Sequence, residues 1–176
     1  MQRYNIAYMS TDHALNELFV TISRKYFLNL HDEYILGPEG LPHVTLCQFH
    51  APNNDCAITA FKTFTANSDL AITIQKFRLR AGSLANAGKF IADVMVDKSQ
   101  GLIDKQKECY AHLLQTDIKP LTPSETYSPH ITVARLPQLI NTPLGIEEEI
   151  PTHKTSIFKL VVGASTESGV LVKVLA

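Results

Sequence analysis

The segment Pro42-His43-Val44-Thr45-Leu46 recurs later in the chain as Pro129-His130-Ile131-Thr132-Val133. Side chains alternate between the two faces of an extended strand, so each histidine shares a face with the threonine two positions after it. The aliphatic residues of each copy point the other way, toward an apolar support. The repeat therefore predicts two strands that each present one imidazole beside one hydroxyl, and a fold that joins them would place both pairs in one pocket.

Four side chains of this repeat, His43, Thr45, His130 and Thr132, suit acid/base chemistry on a phosphate ester. An imidazole titrates near pH ~6.5, so two of them can hold one neutral base and one protonated acid. The hydroxyls can donate hydrogen bonds to phosphate oxygens as negative charge develops. We predict that these four residues are catalytic. No Cys or His grouping has metal-ligand spacing, so we expect neither a metal nor a cofactor.

The rest of the chain alternates strand and helix patterns in a similar order on both sides of the repeat. Strands are predicted at 3–9, 42–49, 70–80, 89–97, 129–136, 156–164 and 169–175. Helices are predicted after a cap at Ser10 or Thr11, from the 53–55 cluster to about residue 67, and after Ser99. Residues 137–151 are predicted to be an exposed irregular connection.

This order predicts an α+β fold in one domain spanning residues 1–176. We expect two similar lobes of mainly antiparallel sheet, related by pseudo-symmetry, with outer helices around a central cleft. The 176-residue length supports one substantial core.

Composition narrows the functional classes. The chain is 45% hydrophobic and 19% charged, with a formal net charge of −1, which argues against a broad electrostatic surface for long nucleic acids. No apolar run is long enough for a membrane span. Three scattered cysteines and the absence of a signal-like start lead us to expect a cytoplasmic protein with reduced thiols.

The motifs together resemble the 2H phosphoesterase superfamily, specifically its 2′-5′ RNA ligase-like and cyclic phosphodiesterase branch. The residues that carry the resemblance are 42–46 with Phe49, and 127–135, which end in the family's aliphatic-alanine-arginine triplet, Val133-Ala134-Arg135. It extends across nearly the whole chain. Gln48 departs from the pattern, since an apolar residue is more usual there, and the final strand lacks a frequent aromatic residue.

The resemblance implies a metal-independent enzyme that hydrolyses 2′,3′-cyclic phosphodiesters at RNA ends or in nucleotides to a 2′-phosphate, or that cleaves and joins 2′-5′ linkages. It implies His130 as the base and His43 as the acid. Two alternatives stay open: a phosphodiesterase for 2′-5′ oligoadenylates or a small cyclic nucleotide, and a nucleotide- or RNA-binding module without turnover. The expected partner is a nucleotide or RNA terminus, and we expect a monomer with no stable protein partner.

Three further residues, Arg135, Tyr127 and Phe49, are candidate substrate contacts. Strict alternation places Arg135 opposite His130, so it reaches the phosphate only if the strand ends or bulges first. Tyr127 either stacks on a base or braces its loop. The same alternation places Phe49 on the face of His43, where it lines the cleft or packs in the core. Arginines 78 and 80 on a predicted strand are expected to be solvated, with RNA phosphates as an alternative contact.

Overall fold

The computed structural model describes residues 1–31, 34–37, 40–64, 69–83 and 86–176, which form seven strands and four helices. The strands are β1 (Gln2–Ser10), β2 (Val44–Ala51), β3 (Leu70–Ala81), β4 (Phe90–Val96), β5 (His130–Leu136), β6 (Thr155–Ser165) and β7 (Leu171–Val174). The helices are α1 (His13–Phe27), α2 (Asn54–Thr63), α3 (Gln100–Gln115) and α4 (Ile146–Glu149). Within these ranges, no helix is long and apolar enough to cross a membrane.

The strands form one antiparallel sheet in the order β2-β1-β6-β3-β4-β5, with β7 paired to β6. The sheet consists of two three-stranded halves with equivalent strand order, β2-β1-β6 and β5-β4-β3. They meet where residues 70–73 of β3 pair with residues 155–158 of β6, while the rest of β3 pairs with β4. The predicted α+β class is confirmed, and the strands predicted at 70–80 and 89–97, and at 156–164 and 169–175, pair as antiparallel neighbours.

Each repeat strand contains a β-bulge directly after its threonine. On β2, Thr45 pairs with Ala7 and Cys47 with Ile6, so Leu46 is the extra residue. On β5, Thr132 pairs with Asp93 and Ala134 with Ala92, so Val133 is the extra residue. A bulge shifts the alternation of side chains by one. Residues beyond each bulge therefore face the opposite way from that expected for a regular strand.

The two longest helices each pack on the repeat strand of the opposite half. Helix α1, from the first half, packs on β5, and α3, from the second half, packs on β2. Their buried stripes are Leu15, Phe19, Ile22, Ser23 and Phe27 on α1 and Leu102, Gln106, Cys109 and Leu113 on α3. This exchange makes the position of each repeat strand depend on the opposite half.

Several predicted element ends are corrected by the structure. Asp12, rather than Ser10 or Thr11, caps α1, because Ser10 still belongs to β1 and the Asp12 carboxylate accepts from the Leu15 amide at 3.1 Å. Ser99 caps α3 as predicted. Helix α2 ends at Thr63, and the predicted continuation over 65–67 lies outside the described residues. The predicted irregular segment 137–151 includes the short helix α4.

Candidate active site

The two repeat strands border one cavity of about 320 Å³. His43 and Thr45 line it from the first half, and His130 and Thr132 line it from the second. A volume of this order, about 300 Å³ or more, is within the usual range of small-ligand pockets. The structure therefore brings together the four side chains that the repeat singled out.

The bulges add one more residue from each strand to this cavity. Arg135 turns to the face of His130 because Val133 bulges, and it lines the cavity although it is only 4% exposed. Gln48, at the equivalent position of the first strand, also lines the cavity, and its amide donates to the Gly169 carbonyl at 3.2 Å. The bulge on which the Arg135 prediction depended is present.

The β2 bulge at Leu46 turns Phe49 away from His43, so the prediction that Phe49 shares the face of His43 is wrong. Phe49 is fully buried and stacks on Tyr4 with ring centroids 5.8 Å apart. Phe49 therefore belongs to the core and is not part of the cavity wall.

His43 is held with its Nε2 atom available to the cavity. Its Nδ1 atom lies 2.6 Å from the Leu41 carbonyl, which can only accept, so Nδ1 carries the proton. The pKa of His43 is lowered to about 4, mainly by burial, with a smaller lowering effect from the nearby His130 and an opposing effect from the Leu41 hydrogen bond. His43 is therefore neutral at neutral pH.

His130 has the same backbone contact but a different set of neighbours. Its Nδ1 donates to the Ser128 carbonyl at 2.6 Å, and its Nε2 accepts from the Arg80 guanidinium at 3.1 Å. Because arginine only donates, this contact requires a neutral imidazole. Burial lowers the pKa of His130, Asp93 and the Ser128 bond oppose that effect, and the charge of Arg80 adds to it.

Asp93 anchors two arginines beside His130. It is fully buried on β4, and its carboxylate accepts from Arg78 at 3.0 Å twice and from Arg80 at 2.7 Å. Both arginines were expected to be solvated, and this cluster was not predicted. The available signal was an aspartate within the apolar run of β4, opposite a strand with arginines two positions apart.

Asn5 was also missed by the sequence analysis. It is fully buried on β1, and its side-chain amide donates to Thr45 Oγ1 at 2.9 Å. That bond occupies an acceptor position of the hydroxyl and leaves the hydroxyl proton to point elsewhere. An asparagine inside the apolar first strand was the signal for this role.

Two tyrosines fix the repeat strands from the opposite halves. The Tyr127 hydroxyl, before the second motif, donates to the Thr45 carbonyl at 3.0 Å, and the Tyr34 hydroxyl, before the first, donates to the Thr132 carbonyl at 3.2 Å. Tyr127 is only 6% exposed although it borders the cavity. The Tyr127 hydroxyl therefore braces the first repeat strand, and stacking of its ring on a base stays a prediction.

Comparison with known proteins gives structural neighbours only. No protein-family model matches the sequence, and no curated protein matches it significantly. The crystal structure of E. coli LigT complexed with phosphate aligns with a TM-score of 0.57 at 14% identity, over 99% of this chain and 95% of LigT. The chain has the fold of LigT. The LigT complex with 3′-AMP gives a TM-score of 0.51 at 14% identity, over 94% of this chain and 99% of LigT.

A further crystal structure, of a phosphoesterase, aligns with a TM-score of 0.53 at 13% identity, over 94% of this chain and 90% of that protein. At these identities the similarity establishes the fold. The structural similarity to LigT extends over almost the whole chain, from β1 to β7, and so includes both halves of the sheet.

Proposed function

We propose that this chain is a metal-independent 2H phosphoesterase that hydrolyses 2′,3′-cyclic phosphodiesters in nucleotides or at RNA ends. The observation that carries the proposal is that His43, Thr45, His130 and Thr132 line one cavity. The sequence repeat, the LigT fold and a cavity of small-ligand size support the same reaction class. The resemblance of the motifs implies a 2′-phosphate product.

His130 is the base in this proposal. Its Nε2 is unprotonated and, once Arg80 releases the hydrogen bond to its single lone pair, takes the proton of the attacking water while the water oxygen bonds to phosphorus. The phosphorus bond to one ribose oxygen breaks, and that oxygen receives a proton from His43 Nε2. Each proton transfer by a positioned side chain typically contributes about 10² to 10⁴ in rate.

His43 must gain a proton before it can act as the acid. Burial disfavours its cation in the empty cavity, and an anionic phosphodiester beside it reverses that preference, because a neighbouring opposite charge stabilises the charged form. Substrate binding therefore loads the acid with a proton from solvent. The Thr45 hydroxyl, oriented by Asn5, and the buried Arg135 guanidinium stabilise the charge that develops on the phosphate oxygens.

The test is hydrolysis of 2′,3′-cyclic mononucleotides in the presence of a chelator, with the product identified as the 2′- or 3′-phosphate. We expect turnover that is unchanged by the chelator. A 2′-5′-linked dinucleotide and a 2′-5′ oligoadenylate are assayed beside it. Preferential cleavage of either would favour the alternative substrates. Tight binding of a cyclic nucleotide with no product after prolonged incubation would favour the binding-module alternative.

A further inference from the structure

A cationic cluster, formed by Arg78 and Arg80 of β3 around Asp93, borders the cavity beside the second motif. Two guanidinium groups share one carboxylate, so the cluster keeps one positive charge in excess. The carboxylate is fully buried, whereas the side chains of Arg78 and Arg80 are 25% and 29% exposed. The uncompensated charge therefore lies on the cavity side.

Arg78 lines the cavity and, among the residues that the structure describes, does not use all of its donors. Its Nε and Nη2 atoms bind the two oxygens of Asp93, which fixes the plane of the guanidinium. Among the described residues, no acceptor bonds its Nη1 atom, which carries two N–H groups. Arg80, in contrast, also donates to His130 and so belongs to the reaction centre.

The position of Arg78 separates it from the reacting phosphate. Arg78 lies opposite Asp93, and Asp93 lies opposite Thr132, so the backbones of Arg78 and Thr132 are two strand spacings apart, about 10 Å. The phosphate that reacts must lie within reach of both histidines and both threonine hydroxyls. Arg78, held over Asp93, faces the space beside that position.

We infer that Arg78 forms a subsite for a second phosphate of the substrate, and the inference rests on the proposed function for the first. The ligand class is a nucleoside with a 2′,3′-cyclic phosphate and a 5′-phosphate, as at the end of an RNA of two or more residues. The ribose separates these two phosphates, so one lies between the histidines and the other against Arg78. This contact orients the 5′ side of the substrate toward β3.

The test measures binding by calorimetry, independently of turnover. Adenosine 2′-phosphate is compared with adenosine 2′,5′-bisphosphate, and we expect the bisphosphate to bind at least about tenfold more tightly. Arg78→Gln should remove most of that advantage. Lys76→Gln is the matched control, because Lys76 lies on the same strand but is exposed outside the cavity, and it should retain the advantage.

Each outcome bears on one of the two proposals. Equal affinities of wild type for the two ligands overturn the subsite without any variant, and so does an advantage that survives Arg78→Gln or disappears in Lys76→Gln. Failure to bind either ligand also overturns it. Hydrolysis of cyclic nucleotides with equal affinities removes the subsite alone. Selective bisphosphate binding without hydrolysis of any cyclic substrate removes the proposed reaction and leaves the subsite.

Discussion

The two halves of the sheet share a backbone plan but differ in charge. Each has a histidine held through Nδ1 by a carbonyl two residues earlier, a threonine, a bulge and a polar residue beyond it. In the first half that residue is Gln48, and the buried neighbour from β1 is Asn5. In the second it is Arg135, and the cluster of arginines around Asp93 lies beside it.

Symmetry of the fold therefore does not impose symmetry of the chemistry. The shared backbone presents two equivalent imidazoles. Burial is the largest cause that lowers the pKa of both histidines, but their neighbours distinguish them, because Asp93 raises the pKa of His130 and Arg80 donates to its Nε2, and neither contact occurs at His43. The second half is suited to hold a base and an anion, and the first is suited to take a proton when an anion arrives.

Removal of either imidazole should lower kcat more than any other change proposed here, and it tests whether both halves of the sheet are needed for the reaction. His43→Ala and His130→Ala should each lower kcat by about 10³-fold or more, because each removes one proton transfer and its hydrogen bond. Steady-state kinetics on a 2′,3′-cyclic nucleotide measure this, with circular dichroism to verify folding. His13→Ala, exposed at the start of α1, is the control. Substantial turnover by either variant would contradict the two-histidine mechanism.

The next effect concerns the stability that depends on His43. The unfolded chain protonates this residue near its ordinary pKa of 6.5, whereas the folded protein resists protonation until about pH 4. The contribution of His43 to the free energy of unfolding is therefore fully present above pH 6.5. As the pH falls to 4, the free energy of unfolding decreases by about 3 kcal/mol.

Urea unfolding of wild type and His43→Asn at several pH values measures this contribution. The asparagine amide can still donate to the Leu41 carbonyl, but it does not titrate, so the variant should lose less stability than wild type as the pH falls. Parallel curves for the two proteins would refute the burial effect. His13→Asn should retain the wild-type slope.

A smaller effect on kcat/KM is expected when the residue beyond the β5 bulge is replaced by its counterpart on β2. Arg135→Gln gives the second strand the residue of the first, and kcat/KM should fall about 100-fold because a buried cation beside the phosphate is removed. Gln48→Ala should lower kcat/KM by about tenfold or less, since it removes one neutral contact. Equal losses in the two variants would show that the charge difference between the halves is not used in the reaction.

The smallest effect tests the exchanged tyrosine contacts. Tyr34→Phe and Tyr127→Phe each remove one hydrogen bond to a threonine carbonyl, and each should lower the free energy of unfolding by about 1 kcal/mol. Tyr110→Phe, a half-buried residue on α3, is the control and should have a smaller effect. Urea denaturation checks the values. A loss confined to one of the two tyrosines would break the equivalence of the bracing contacts.

Sequence patterns predicted the positions of strands and helices better than they predicted which face of a strand each side chain occupies. The strand at 70–80 and the cap at Ser99 follow from local residue preferences, and both are found. Phe49 was placed on the wrong face, because one extra residue at Leu46 reverses all the side chains after it. The Asp93 cluster was missed because ion pairs between neighbouring strands join residues distant in sequence.

The pairing of one imidazole with one hydroxyl on each repeat strand follows from the amino-acid sequence alone. That information is local, since the two-residue period of a strand holds over the three positions from His43 to Thr45 and from His130 to Thr132. Three further features come from the folded structure: the four groups share a cavity, Arg135 joins them, and Arg80 contacts His130. These depend on register and bulges, which pairing with neighbouring strands sets.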